Sequence, residues 1–158
     1  MDPNAQQVIN VCQASWAANQ GDCSAFIKAV CAALVVPMSP GQADDIVQYF
    51  RDPANGWEAL KDGVDAAGNV IRKEEVAKER ADAGKLVLAG MTAAELGDAN
   101  GHVAVVISAA LIFSVQNNNY YPVGYWGQLG GVGGANQCLS YSFGQGVIDQ
   151  VTYAAISF

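Results

Sequence analysis

The sequence has few basic residues, a single histidine and no closely spaced pair of cysteines, and each shortage argues against a class of function. Only 8 of the 158 residues are Lys or Arg, against 15 Asp or Glu, so the net charge is −7. Nucleic-acid binding needs clustered cations against the phosphates, which this chain does not supply. Four cysteines without a CxxC pair, together with one histidine, also lack the ligand spacing of a structural zinc site.

Long apolar runs are also missing. The longest, from Val103 to Val115, is too short to cross a bilayer. The first residues carry neither the basic segment nor the apolar segment of a secretory signal, so we expect a protein made in the cytoplasm that stays there or leaves without a cleaved signal. Hydrophobic residues nevertheless make up 51% of the chain, which predicts one globular domain over residues 1–158 with its own core.

Charge and aromatic residues divide the sequence into two parts. Seven of the eight basic residues lie within 51–85, whereas 99–158 contains nine of the fourteen aromatics and only Asp149 as an acidic residue. The spacing of apolar residues predicts an α+β domain in which helices precede a sheet. The predicted helices cover residues 2–19, 22–34, 42–50 and 73–83, and the predicted strands cover 85–89, 102–108, 111–115, 120–126 and 147–158. The glycine run 130–134 is interpreted as a mobile loop, with a substrate-side flap as the alternative.

The segment Gly21-Asp22-Cys23-Ser24-Ala25-Phe26 is the first candidate for chemistry. Asp22 is a good N-cap, which puts Cys23 in the first turn of a helix. Unpaired backbone N–H groups and the helix dipole at that place favour a thiolate and predict a lowered pKa. The same N–H groups can receive an oxyanion during attack on an amide carbonyl. By local physics alone, a buried structural cysteine explains the position equally well.

The second candidate is His102, which follows Gly101 and opens a very apolar strand. The unperturbed pKa of histidine suits a general base. An isolated histidine is more often structural, but His102 follows Cys23 by 79 residues. A cysteine at a helix N-terminus and a histidine at a strand start are the arrangement of thiol proteases, in which the two meet in space.

These segments carry a resemblance to a known family. Asp-Cys-Ser-Ala-Phe at 22–26 resembles the Asp-Cys-Ser-Gly-Phe nucleophile motif of NlpC-type cell-wall peptidases, with Ala25 in place of glycine, and 101–107 is similar to their histidine strand. A fuller resemblance, over residues about 5–130, is to the type VI secretion amidase effectors, small antibacterial toxins of that papain-like superfamily. It includes residues 11–16, 36–38 and 121–122. The fold that it implies is α+β and papain-like, with N-terminal helices packed on a C-terminal antiparallel sheet.

The resemblance implies a hydrolase that cuts an amide bond of peptidoglycan, either γ-D-glutamyl–diaminopimelate or diaminopimelate–D-alanine. Cys23 would be the nucleophile and His102 the base, with no cofactor and no metal. Asp22, Ser24, Gly101 and Trp126 are the candidate substrate-binding residues. The implied partners are peptidoglycan, a cognate immunity protein and the type VI apparatus, which would deliver the protein into the periplasm of a target cell.

Several points stay open at this stage. The residue that orients His102 could be Gln128, Asn117 or a backbone carbonyl. A disulfide among Cys12, Cys31 and Cys138 is neither required nor excluded. The scarcity of charge after Ala99 predicts a neutral substrate groove, shaped by the loops 53–72 and 127–137. The alternative function is a non-catalytic cell-wall or protein-binding module that presents exposed aromatics, namely Tyr120, Tyr121, Tyr125 and Trp126.

Overall fold

An antiparallel sheet of six strands forms the centre of the fold; from edge to edge its strands are Glu58–Leu60, Thr152–Ile156, Leu86–Met91, His102–Val106, Val123–Tyr125 and Ala135–Cys138. The structure is a computed structural model that describes residues 1–158. The helices are α1 (Pro3–Asn19), α2 (Cys23–Ala33), α3 (Ala43–Arg51), α4 (Lys73–Asp82), α5 (Ala93–Leu96) and α6 (Ser140–Phe143). The strands are β1 (Glu58–Leu60), β2 (Gly63–Val64), β3 (Val70–Ile71), β4 (Leu86–Met91), β5 (His102–Val106), β6 (Ile112–Ser114), β7 (Asn119–Tyr121), β8 (Val123–Tyr125), β9 (Ala135–Cys138) and β10 (Thr152–Ile156). Two separate two-stranded ribbons pair β2 with β3 and β6 with β7.

Strands β4 and β5 are buried on both faces, which explains their nearly continuous apolar sequences. Leu88 and Val105 belong to the cluster that packs against α1, α2 and α3. Ala89 and Val106 belong to the cluster on the opposite face, which includes residues of α4. The arrangement confirms the predicted α+β class with helices on an antiparallel sheet, and it is consistent with a papain-like fold.

The helix boundaries follow from capping residues that are visible in the sequence. Asp2 accepts hydrogen bonds from the first turn of α1, and Asp22 Oδ1 accepts one from the Ala25 N–H at 3.1 Å. Helix α4 ends just before Gly84, whose φ of 78° suits glycine. The predicted helices over 2–19, 22–34, 42–50 and 73–83 are therefore confirmed to within one or two residues.

The strands depart from prediction where local sequence signals were weak. The predicted strand 120–126 is divided at Pro122, so that β7 pairs with β6 while β8 pairs with β5. The predicted strand 147–158 begins only at Thr152, because Ile148–Gln150 forms a 3-10 turn. The short elements β1, β2, β3, β9, α5 and α6 were not predicted.

Two further expectations can be compared with the fold. All four cysteines are buried free thiols, so the structure contains no disulfide. None of the helices combines the length and the apolar composition that crossing a membrane would require.

Candidate active site

Cys23 is the first residue of α2 and is only 5% exposed. Asp22 caps the helix, which fixes the direction in which α2 leaves the preceding turn. The backbone N–H groups of Val103 and Ser24 and the Ser24 hydroxyl lie near enough to the sulfur to lower its pKa. Since Val103 is the second residue of β5, the thiol lies beside the start of the strand that carries His102.

His102 is the first residue of β5 and is 8% exposed. Its Nε2 lies 2.6 Å from Ser142 Oγ, and its ring meets the Phe143 ring edge-on at 5.0 Å between centroids. The preceding Gly101 has no space for a side chain, because a Cβ there would lie 2.2 Å from Asp44 Oδ1 and 2.8 Å from a backbone oxygen. Glycine is therefore required next to the histidine.

Burial dominates the protonation of both groups. Desolvation raises the pKa of the Cys23 thiol above its ordinary value, although hydrogen bonds from Val103 and Ser24 oppose the effect. The lowered thiol pKa expected from the helix N-terminus is thus wrong, because loss of water outweighs the favourable hydrogen bonds. Desolvation also lowers the pKa of His102 to about 4. At neutral pH the resting site therefore contains a thiol and a neutral imidazole.

Two clefts meet at Cys23. One, of about 270 Å³, is lined by both Cys23 and His102, together with Ser142 and Gln128. The other, of about 220 Å³, extends past Cys23 on the side of Asp22. The residues that line both clefts are Cys23, Asn100, Gly101 and Leu129. We call the two clefts together the catalytic groove, since an extended ligand could run through both and pass the sulfur.

The charge of the catalytic groove differs from the prediction. Asp22, Asp44 and Asp98 line it, and no Lys or Arg does. The expectation of a neutral groove is wrong because it considered only the nearly uncharged residues after Ala99. The three carboxylates come from earlier parts of the chain, which the fold brings to the same groove.

The structure brings most of the predicted site residues together. Ser24 and Gly101 line the groove with Asp22, Cys23 and His102. Trp126 does not, because its ring is 4% exposed and packs against Gly134 in the interior. Of the other aromatics proposed to stack on a ligand, Tyr121 and Tyr125 are also buried, and only Tyr120 is exposed.

Ser142 is the site residue that sequence reasoning missed. His102 Nε2 contacts the Ser142 hydroxyl, and neither residue suggested from sequence to orient the histidine is its hydrogen-bond partner. Gln128 lines the groove, and Asn117 donates to Ser114 instead. Ser142 lies 40 residues after the histidine, on the short helix α6. No residue pattern around it marks a helix or a catalytic position, so only the contact identifies it.

A larger cleft, of about 750 Å³, lies away from Cys23 and His102 beside the first turn of α4. Its charged side chains are largely paired with each other. Arg72 lies 3.2 Å from Glu74 and 3.0 Å from Asp149, and the Lys73 ammonium donates to two backbone carbonyls. These bonds tie α4 to the segment before β10, which accounts for the cluster as a structural one.

Comparison with known proteins adds evidence on ancestry. No protein-family model matches the chain. The chain is 34% identical over 152 residues to the peptidoglycan amidase Tse1 of Pseudomonas aeruginosa, and the alignment covers 92% of this chain and 83% of that protein. Identity along nearly the whole length cannot arise from two short motifs, so the two chains share a common ancestor.

Proposed function

The chain belongs to the family of type VI secretion amidase effectors that includes Tse1, and we propose that it is a peptidoglycan amidase using Cys23 as nucleophile and His102 as base. The single observation that carries the proposal is the cleft that both side chains line. Shared ancestry supports the substrate class, and the cleft supports the chemistry.

In the first half of the reaction, neutral His102 accepts the thiol proton and the Cys23 sulfur attacks the amide carbonyl. Because Nε2 contacts Ser142, the proton is taken by Nδ1, and Nε2–H donates to the Ser142 hydroxyl. Backbone N–H groups in the first turn of α2 are placed to stabilise the oxyanion. The protonated imidazole then gives its proton to the leaving amine, and an acyl-cysteine remains.

In the second half, His102 takes a proton from water, and the resulting hydroxide attacks the thioester carbonyl. The tetrahedral intermediate expels the Cys23 thiolate, which recovers its proton from His102, and the acid product leaves. The low pKa of His102, about 4, keeps the ring neutral before each of these proton transfers. The residues therefore start as a neutral pair, and charge develops only as the thiol is deprotonated.

The remaining groove residues serve binding in this proposal. Asp22 holds α2 in place through its cap, Ser24 lies beside the sulfur, and Gly101 leaves room for Asp44 at the edge of the groove. Carboxylates along the groove would attract a free ammonium group of diaminopimelate. A stem that is not cross-linked carries this ammonium on the residue next to the γ-D-glutamyl–diaminopimelate bond, whereas in the diaminopimelate–D-alanine cross-link the same amine is part of the amide.

The effector role completes the proposal. Such an amidase acts in the periplasm of a target bacterium after delivery by the type VI apparatus. A cognate immunity protein protects the producing cell by covering the catalytic groove.

Digestion of purified Gram-negative sacculi tests the function directly. Wild type is expected to release muropeptides whose masses identify the bond, whereas Cys23→Ala and His102→Ala release none. Cys31→Ala removes another buried thiol from the same helix and is the matched control that should remain active. Cleavage by folded Cys23→Ala would refute the cysteine mechanism. Sacculus binding without products from wild type would favour the non-catalytic module instead.

A further inference from the structure

The β6–β7 ribbon leaves an unusual set of apolar side chains in solvent. Phe113 is 44% exposed, Tyr120 is 54% exposed and Tyr141, on nearby α6, is 74% exposed. Phe113 and Tyr120 are cross-strand partners, and their rings pack edge to face at 5.1 Å. Exposed apolar patches of this kind mark binding surfaces more often than ordinary protein surface does.

A groove of about 250 Å³ runs between this ribbon and α6. Phe113 and Tyr141 are two of its walls, and Ser114 and Gln116 supply a hydroxyl and an amide group. No charged side chain lines it, in contrast with the catalytic groove and its three aspartates. We call it the neutral groove.

The chemistry of the neutral groove matches an uncharged sugar. Aromatic rings pack against the apolar C–H face of a pyranose, while neutral hydroxyls and amides exchange hydrogen bonds with its hydroxyl and acetamido groups. An ionic ligand would find no counter-charge there. The absence of charge in the lining therefore selects a neutral polymer over a charged one.

Helix α6 places the neutral groove beside the catalytic groove. Ser140 and Tyr141 line the neutral groove, and the next residue, Ser142, contacts His102 in the catalytic groove. In peptidoglycan, each stem peptide is attached to a strand of neutral N-acetylated sugars. A strand held on one side of α6 could thus direct its stem peptide toward Cys23 on the other side.

We propose that the neutral groove is a glycan subsite that binds the N-acetylated sugar strand of peptidoglycan while the stem peptide occupies the catalytic groove. The proposal rests on the proposed function for the identity of the polymer. It assigns Phe113 and Tyr141 as the stacking rings.

The test uses a neutral, peptide-free probe, the tetrasaccharide of N-acetylglucosamine, titrated into the full chain and followed by amide NMR shifts. We expect saturable shifts in the β6–β7 ribbon and α6, and about tenfold weaker binding for Phe113→Ala and for Tyr141→Ala. Val64→Ala removes an exposed apolar side chain from the β2–β3 ribbon, which does not line the neutral groove. It is the matched control and should bind as wild type. Tyr141→Phe keeps the ring and should also retain binding.

The outcomes separate this proposal from the function on which it rests. Sugar binding that Tyr141→Ala weakens supports the glycan subsite, even if sacculi are never cleaved. Sacculus cleavage without any binding of the tetrasaccharide overturns the subsite and leaves the amidase intact. Concentration-dependent dimerisation that Tyr141→Ala abolishes, with no sugar binding, would instead assign the surface to a second copy of the chain.

Discussion

Replacing Ser142 by alanine removes the hydroxyl that lies 2.6 Å from His102 Nε2. In the resting enzyme this is a bond between neutral groups, which contributes on the order of 1 kcal/mol. In the proposed mechanism His102 takes the thiol proton; the same bond is then donated by an imidazolium and strengthens to about 1.5–3 kcal/mol. Only the difference, about 0.5–2 kcal/mol, stabilises the transition state relative to the bound ground state. We therefore expect kcat to fall about two- to thirty-fold.

Steady-state kinetics on a soluble stem peptide measures this effect. KM should change little, because Ser142 acts on the histidine in the proposed mechanism and not on the peptide directly. Ser142→Thr keeps a hydroxyl and should recover most of the rate. Ser108→Ala removes a similar hydrogen bond, 2.7 Å to Asp82, far from His102 and is the matched control. If Ser142→Ala and wild type had equal kcat values across the pH range, the orienting role would be refuted.

Three further predictions concern protonation, backbone space and capping. Because the folded pKa of His102 is about 4, the acidic limb of kcat/KM should lie near pH 4, and a midpoint near 6.5 would contradict the desolvated ring. Below pH 6.5 His102 binds a proton in the unfolded chain but not in the folded chain. The free energy of unfolding, measured by denaturation, should therefore fall as pH drops from 6.5 toward 4, by about 3 kcal/mol from His102. Gly101→Ala should lose activity and have a lower melting temperature, since its Cβ would lie 2.2 Å from a carboxylate oxygen. Gly63→Ala is the control and should change neither, because its Cβ meets nothing closer than 4.0 Å. Equal melting temperatures for the two variants would argue against tight packing at Gly101. Asp22→Ala should lower the free energy of unfolding, measured in urea, by about 1 kcal/mol. Asp22→Asn should lower it clearly less, because asparagine also caps a helix. Identical losses would mean that the cap contributes nothing.

Part of the active site could be predicted from short stretches of sequence. Asp22 before an apolar helical stripe predicts the start of α2, so the place of Cys23 in the first turn was available without the fold. Gly101 before an apolar strand likewise predicts the start of β5 and the place of His102. These are local properties, since capping and strand propensity act within a few residues.

The packing of distant segments decided the rest. Ser142 reaches His102 only because β8 and β9 pair and turn α6 back over the start of β5. The acidic lining of the catalytic groove arises because the turns after α1 and after α5 and the first turn of α3 meet at Cys23. The spacing of apolar residues within one segment carries no information on contacts between segments that are distant in sequence.

The protonation of Cys23 and His102 also divides into a part that follows from sequence and a part that follows from packing. The sequence by itself predicted Cys23 and His102 as the candidate groups, and it predicted that Cys23 lies at a helix N-terminus. Whether water reaches Cys23 and His102 depends on how completely β5, α2 and α6 enclose them. Desolvation by that enclosure raises the pKa of the thiol and lowers the pKa of the imidazole. Only the tertiary structure therefore decided that both groups are uncharged at neutral pH.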